Sequence, residues 1–257
     1  MCLILFAYKL HPTYPLIVAA NRDEFYRRPT APANYWDDEP SIIAGRDLEK
    51  MGTWMGITTS ARFAALTNYR DPNENTVGKH TRGNLVADFL KGNANPEEYL
   101  HTVAESRNMY PGYNLLVGDV KGLFYYSNVS NEVTAIQPGV YGLSNHLLNT
   151  NWPKVQIGKN GLDEIVKGNI QNHLNDEKMI EQLFELLLNA ESALDELLPK
   201  TGVSLEMERI LSPLFIKSEG YGTRSSTVLL MGSEHVQYVE RIYDAEKGEE
   251  RSYSFPL

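Results

Sequence analysis

Cys2-Leu3-Ile4-Leu5-Phe6-Ala7-Tyr8 and Leu16-Ile17-Val18-Ala19-Ala20, followed at once by Asn21-Arg22-Asp23-Glu24, are the segments on which the fold turns. Two apolar runs joined by a loop holding His11, Pro12 and Pro15 predict a β-hairpin with both strands buried. A hairpin centred near Pro12 lays Cys2 beside about residue 22 in antiparallel register, which brings the charged tetrapeptide to the only thiol in the chain. Cys2 follows the initiator methionine directly. Removal of Met1 would leave one residue carrying a thiol and a free α-amine, with unperturbed pKa values near 8.5 and 8. Proton transfer between them is then cheap, and such a residue is a self-activated nucleophile.

Further apolar strands are expected at Ile42 to Gly45, Trp54 to Thr58 and Phe63 to Thr67, the last running into Asn68-Tyr69-Arg70. Thr81-Arg82-Gly83-Asn84 precedes one helix and Asn95-Pro96 another. Strands follow at Tyr113 to Val117, Leu123 to Ser127 and Val140 to Leu143, which ends in Ser144-Asn145-His146. Trp152-Pro153-Lys154 opens a covering segment, and Met179, Ile180, Leu183, Phe184, Leu187 and Leu188 recur at helical spacing over Glu177 to Ala190. Tyr221 to Met231 and Val236 to Arg241 read as a terminal hairpin. Strand blocks with helices gathered between them predict an α+β fold, taken as one domain over residues 1–257.

The composition narrows the function. A chain of 257 residues with 42% hydrophobic and 22% charged residues has an ordinary globular make-up. A net charge of -9 without any basic stretch argues against nucleic acid as a partner. One cysteine rules out an internal disulfide framework and multi-cysteine metal sites, and the opening run, broken at Lys9, is too short for a signal peptide or an integral membrane segment. Cytoplasm is the expected location. Gly-x-Gly-x-x-Gly after a strand, phosphate-loop and His-Glu-x-x-His patterns are all absent from the sequence, so no cofactor and no metal are expected.

Five blocks carry a resemblance over essentially the whole chain: Cys2 with Asn21-Arg22-Asp23-Glu24, Met51-Gly52-Thr53-Trp54-Met55-Gly56, Thr67-Asn68-Tyr69-Arg70, Gly142-Leu143-Ser144-Asn145 with Trp152-Pro153-Lys154, and Tyr221-Gly222-Thr223-Arg224-Ser225-Ser226-Thr227. Together they resemble the NRDE family, also called transport and Golgi organization. That resemblance implies the four-layer αββα sandwich of N-terminal nucleophile hydrolases and a pattern similar to bile-salt hydrolases and penicillin V acylases. It also implies roles: Cys2 as nucleophile and base, Asp23 or Arg22 orienting the amine, Asn68 and Asn145 serving the oxyanion, and Arg224 steadying the site. In the acylases of this group the corresponding Arg and Asp are two residues apart. Here Arg22 and Asp23 are adjacent, and strand alternation sends them to opposite faces, so only one of them faces the thiol unless the strand bulges. Trp54 and Trp152 are expected as core packing.

The reading that results is an N-terminal-cysteine amidohydrolase or acyltransferase acting on a small amide or thioester. The alternative is a non-catalytic carrier that uses the same pocket for a hydrophobic ligand, haem or an acyl-coenzyme A.

Overall fold

In a computed structural model of the chain, residues 2–243 and 248–257 are described. β1 (Cys2–Tyr8) and β2 (Leu16–Phe25) form the expected hairpin, with Cys2 opposite Arg22 and Tyr8 opposite Leu16. β1 stops at Lys9, which takes a left-handed φ of 52°. The rest of one sheet comes from far along the chain: β10 (Gly139–Leu143), β11 (Lys217–Ser218), β12 (Tyr221–Met231), β13 (His235–Ile242) and β14 (Glu249–Pro256). Its order is β10-β1-β2-β12-β13-β14, with β11 on β12, and every pairing is antiparallel. The other sheet is a meander in chain order: β3 (Thr30–Tyr35), β4 (Ile42–Asp47), β5 (Met55–Thr58), β6 (Phe63–Asn68), β7 (Tyr113–Gly118), β8 (Leu123–Ser127) and β9 (Glu132–Ala135).

Strand alternation builds the layers. Ile4, Phe6, Tyr8, Leu16, Val18 and Ala20 point between the sheets, where they meet Ile43, Met55, Ile57, Phe63 and Leu116. Leu3, Leu5, Ala7, Ile17 and Ala19 point outward beneath α3 (Pro153–Asn172) and α4 (Asp176–Leu187), against Val155, Leu162, Leu183 and Phe184. On the far side α1 (Gly83–Lys91) and α2 (Pro96–Glu105) cover the second sheet through Leu85, Phe89, Leu100 and Val103. The result is the αββα sandwich that the resemblance implies. No helix among the described residues is long and apolar enough to cross a membrane.

Helix ends follow local chemistry. Asn95 caps α2, its side chain accepting from the Glu98 N–H, with Pro96 at the first helical position. Asn175 caps α4 in the same way and Ser204 caps α5 (Leu205–Ile210). The α4 stripe differs from expectation at its end, because the helix closes at Leu187 and Leu188 is exposed. Other departures are strands without an apolar run. β3 contains Pro32 and a register shift between Ala31 and Asn34, β9 is mostly exposed, and β14 extends the expected terminal hairpin by one edge strand.

α3 lies close on β1, with an ideal Cβ at Gly158 only 2.7 Å from Leu5 Cδ1 and one at Gly142 of β10 only 2.8 Å from Val155 Cγ1. Gly158→Val therefore overpacks this contact and is expected to destabilise the protein by about 1–3 kcal/mol in urea unfolding.

Candidate active site

β2 runs five residues past its apolar stretch, so Asn21-Arg22-Asp23-Glu24 lies within the strand instead of closing it. Alternation then sorts the tetrapeptide. Arg22 and Glu24 join Cys2 on the inter-sheet side, while Asn21 and Asp23 face the helices. Asn21 ties those helices down, its side-chain amide donating to the Leu187 carbonyl at 2.9 Å and the Leu214 carbonyl at 2.8 Å.

Cys2, Arg22, Asp23 and Asn68 line one cleft of about 160 Å³. The thiol is 8% exposed, and burial pushes its pKa up against the opposing effects of the Arg22 charge and a hydrogen bond from the Asp23 main chain. Arg22, 6% exposed, lies against the Trp54 ring with its guanidinium carbon 4.3 Å from the ring centre. Trp54, expected as core packing, is thus also a cleft wall, and its indole covers Gly45, where a Cβ would fall 2.2 Å from Trp54 Cη2.

Asp23 is buried, accepts from Thr223 Oγ1 at 2.7 Å, and has its pKa raised by burial, with Lys154 the strongest opposing charge. Lys154 is itself buried on the first turn of α3 and donates to the Leu211 carbonyl at 2.9 Å. Burial pushes its pKa down to about 8, opposed by the Asp23 carboxylate. Behind it, Arg70 and Glu208 form a buried ion pair at 3.0 Å, with Arg70 over Trp152. Each of these charges therefore sits within reach of an opposite one, which is what makes their burial tolerable.

Two residues expected in the site stand behind it. The Asn145 side-chain amide donates to the main-chain carbonyl of Asn68 at 3.0 Å, and Asn145 does not line the cleft. Its amide holds the Asn68 backbone, while Ser144 Oγ donates to the Cys2 carbonyl at 3.3 Å. Arg224 occupies a register shift in which Thr223 opposes Asp23 and Ser225 opposes Arg22, which leaves Arg224 as the extra residue of the bulge. Its Nη1 donates to the carbonyls of Phe25 and Arg28 and to Thr30 Oγ1, and it lines a smaller cavity that shares Arg22 and Trp54 with the main cleft. Met1, whose removal would expose the α-amine, lies outside the described residues. The cleft also holds Arg28, paired with Asp47 at 2.6 Å, and Thr81-Arg82-Gly83 at the start of α1. The sequence signal for the latter was the polar group ahead of an apolar helix, which reads equally well as a helix start.

The chain belongs to the Transport and Golgi organisation 2 family, whose profile matches residues 1–245. It is 37% identical over 264 residues to the Transport and Golgi organization protein 2 homolog of Bos taurus, covering 94% of this chain and 92% of that one. Against the Homo sapiens homolog the figures are 35% over 281 residues, with 100% and 99% covered. Among solved structures the fold is similar to the Caenorhabditis elegans N-acylethanolamine-hydrolyzing acid amidase ortholog, with a TM-score of 0.52 at 11% identity over 89% of this chain and 92% of that one. The fold is of the N-terminal nucleophile hydrolase type.

Arg70→Met strands the buried Glu208 carboxylate and is expected to cost about 3–5 kcal/mol in denaturant unfolding, whereas Arg70→Met with Glu208→Leu recovers much of that loss. No recovery in the double variant would show that loss of Arg70 does not strand the Glu208 charge.

Proposed function

We propose that the chain is an N-terminal-cysteine amidohydrolase or acyltransferase that forms an acyl intermediate on Cys2 from a small amide or thioester. The observation that carries this reading is the place of the thiol: the inter-sheet face of β1 is apolar from Ile4 onward, yet Cys2 ends that face in a polar cleft, directly opposite Arg22 and beside Asn68. A cysteine serving only as packing needs no such surroundings.

Once Met1 is removed, the α-amine of Cys2 takes the thiol proton and the sulfur attacks the carbonyl carbon. A C–S bond forms while the carbonyl electron pair moves onto oxygen. Asn68 supplies a donor to that oxyanion, held in place by Asn145 beneath its backbone. Collapse breaks the C–N or thioester C–S bond, and the ammonium returns its proton to the leaving group. Water or an amine then attacks the acyl-enzyme and releases Cys2. Arg22 favours the thiolate by its charge, and the Asp23 carboxylate favours the ammonium, from the opposite face of the same strand. Arg224 steadies this site by holding the chain after β2, through the Phe25 and Arg28 carbonyls.

The cleft favours this chemistry over carriage of haem or an acyl-coenzyme A. Its roughly 160 Å³ is small beside the ~300–1,000 Å³ of pockets that enclose drug-sized ligands, and among the described residues its lining includes no histidine.

Intact mass of protein from its native source, followed by mass spectrometry after incubation with amides and thioesters, tests the proposal. A chain lacking Met1 and an acyl adduct on Cys2 are expected, with Cys2→Ala losing at least ~1000-fold in turnover and Asn68→Ala roughly 100- to 1000-fold. Hydrolysis that survives both Cys2→Ser and Cys2→Ala would overturn it. The pH dependence has a definite sign. Because burial raises the thiol pKa, alkylation of Cys2 in a chain retaining Met1 is expected to be still rising beyond pH 9. Removing Met1 places an amine of pKa near 8 beside the thiol and shifts the profile to lower pH.

A further inference from the structure

We infer that the first turn of α1, with the Arg82 and Arg22 side chains, forms an oxyanion-binding subsite in the Cys2 cleft, so that the substrate is an amide or thioester bearing a carboxylate or phosphate. This rests on the acyl-transfer reading above and names the substrate class for it.

α1 is nine residues long, and its N-cap position is Arg82, which makes no side-chain capping bond; the first turn contains no acidic residue. Thr81, Arg82 and Gly83, where α1 begins, all line the cleft. The Asn84 and Leu85 N–H groups of this turn donate to the Thr81 and Arg82 carbonyls at 3.4 and 3.0 Å, so it is the positive end of the helix dipole, with the guanidinium groups beside it, that favours an anion here. Gly83 packs against the neighbouring loop, where a Cβ would come within 3.2 Å of the Thr53 nitrogen, and having no side chain it leaves this end of the helix uncovered.

The independent observation is Arg22. It is 6% exposed and lines the same cleft, and among the described residues its side chain makes no hydrogen bond and no ion pair, meeting only the Trp54 ring. Arg82 likewise forms no ion pair among the described residues, and its Nη1 is fixed by the Gly112 carbonyl at 3.0 Å. By contrast Arg28, in the same cleft, is neutralised by Asp47 at 2.6 Å and Glu49 at 3.2 Å. Glu24 faces the two unpaired arginines without reaching ion-pair distance, and its Oε1 accepts from the Phe25 N–H at 2.9 Å. Burial pulls both guanidinium pKa values below their ordinary range. An incoming oxyanion supplies the opposite charge and, anchored at α1, sets the scissile carbonyl toward Cys2.

Binding is read in a Cys2→Ala background, so the result does not depend on turnover. NMR titration with N-acetylglycine, its neutral analogue N-acetylglycinamide and inorganic phosphate is the experiment. N-acetylglycine is expected to bind at least ~10-fold more tightly than the amide, about 1.4 kcal/mol. Arg82→Gln is expected to abolish that preference and Arg82→Lys to restore part of it. Phosphate binding more tightly than N-acetylglycine, with the same loss in Arg82→Gln, assigns the oxyanion as phosphate. If Arg82→Gln fails to fold, Thr81→Glu, which places a carboxylate over the same helix end, is expected to abolish the preference instead. Equal binding of the acid and its amide together with no phosphate binding, or a preference that survives these substitutions, overturns the subsite. Loss of hydrolysis in Cys2→Ala with anion binding intact leaves both proposals standing, while anion binding without any Cys2-dependent hydrolysis refutes only the acyl-transfer reading.

Discussion

The pairing of β1 with β2, which sets Cys2 against Arg22, is the constraint on which the rest of the structure depends. Both strands are buried on both faces, so a slip of one residue would reverse every side chain and put leucines where the cleft now opens. Ten residue pairings between β12 and β2 lock the register from the other side. The bulge at Arg224 within that pairing lets Thr223 reach Asp23 while Ser225 stays beside Arg22. The site is therefore built by sheet register, with side chains delivered from strand ends.

Charge burial is the second theme. Asp23, Lys154, Arg70 and Glu208 sit beneath the cleft on the helix side of the sheet, where burial disfavours the charged form of Asp23, Lys154 and Arg70 and neighbouring opposite charges restore part of it. Such a network costs stability compared with an apolar core. Its position directly behind the end of β1 gives it a use, since it fixes the field felt by the first residue of that strand. On the other face, Arg22 against Trp54, with Trp54 against Gly45, forms a stacked column across the two sheets.

Much of this was legible in residues that break a local rule. Continuous apolar runs give the strands, and polar residues at their ends, Asn21 to Glu24 and Asn68 to Arg70, point to a cleft. The expected opposition of Cys2 and about residue 22 matches the observed pair because two apolar runs buried on both faces leave little freedom in register. Less legible were β3, β9 and β14, which are partly exposed, carry polar side chains or Pro32, and hold their places by pairing with strands already formed. The same holds for Arg82. Its sequence neighbourhood reads as a helix start, and only the packing of α1 on the second sheet brings that start to the cleft that holds Cys2.

By itself the sequence determined the hairpin, the layers and the proximity of thiol to charge, because strand and helix periodicities are local and survive without knowledge of distant partners. Which of two adjacent side chains, Arg22 or Asp23, shares the face of Cys2 depended on how far β2 continues past its apolar run. Whether Asn145 and Arg224 reach the cleft or stand behind it depended on the Asn68 backbone and on a bulge in β12. Those outcomes belong to tertiary structure, since each is decided by hydrogen bonds between residues 77 or more positions apart in the chain.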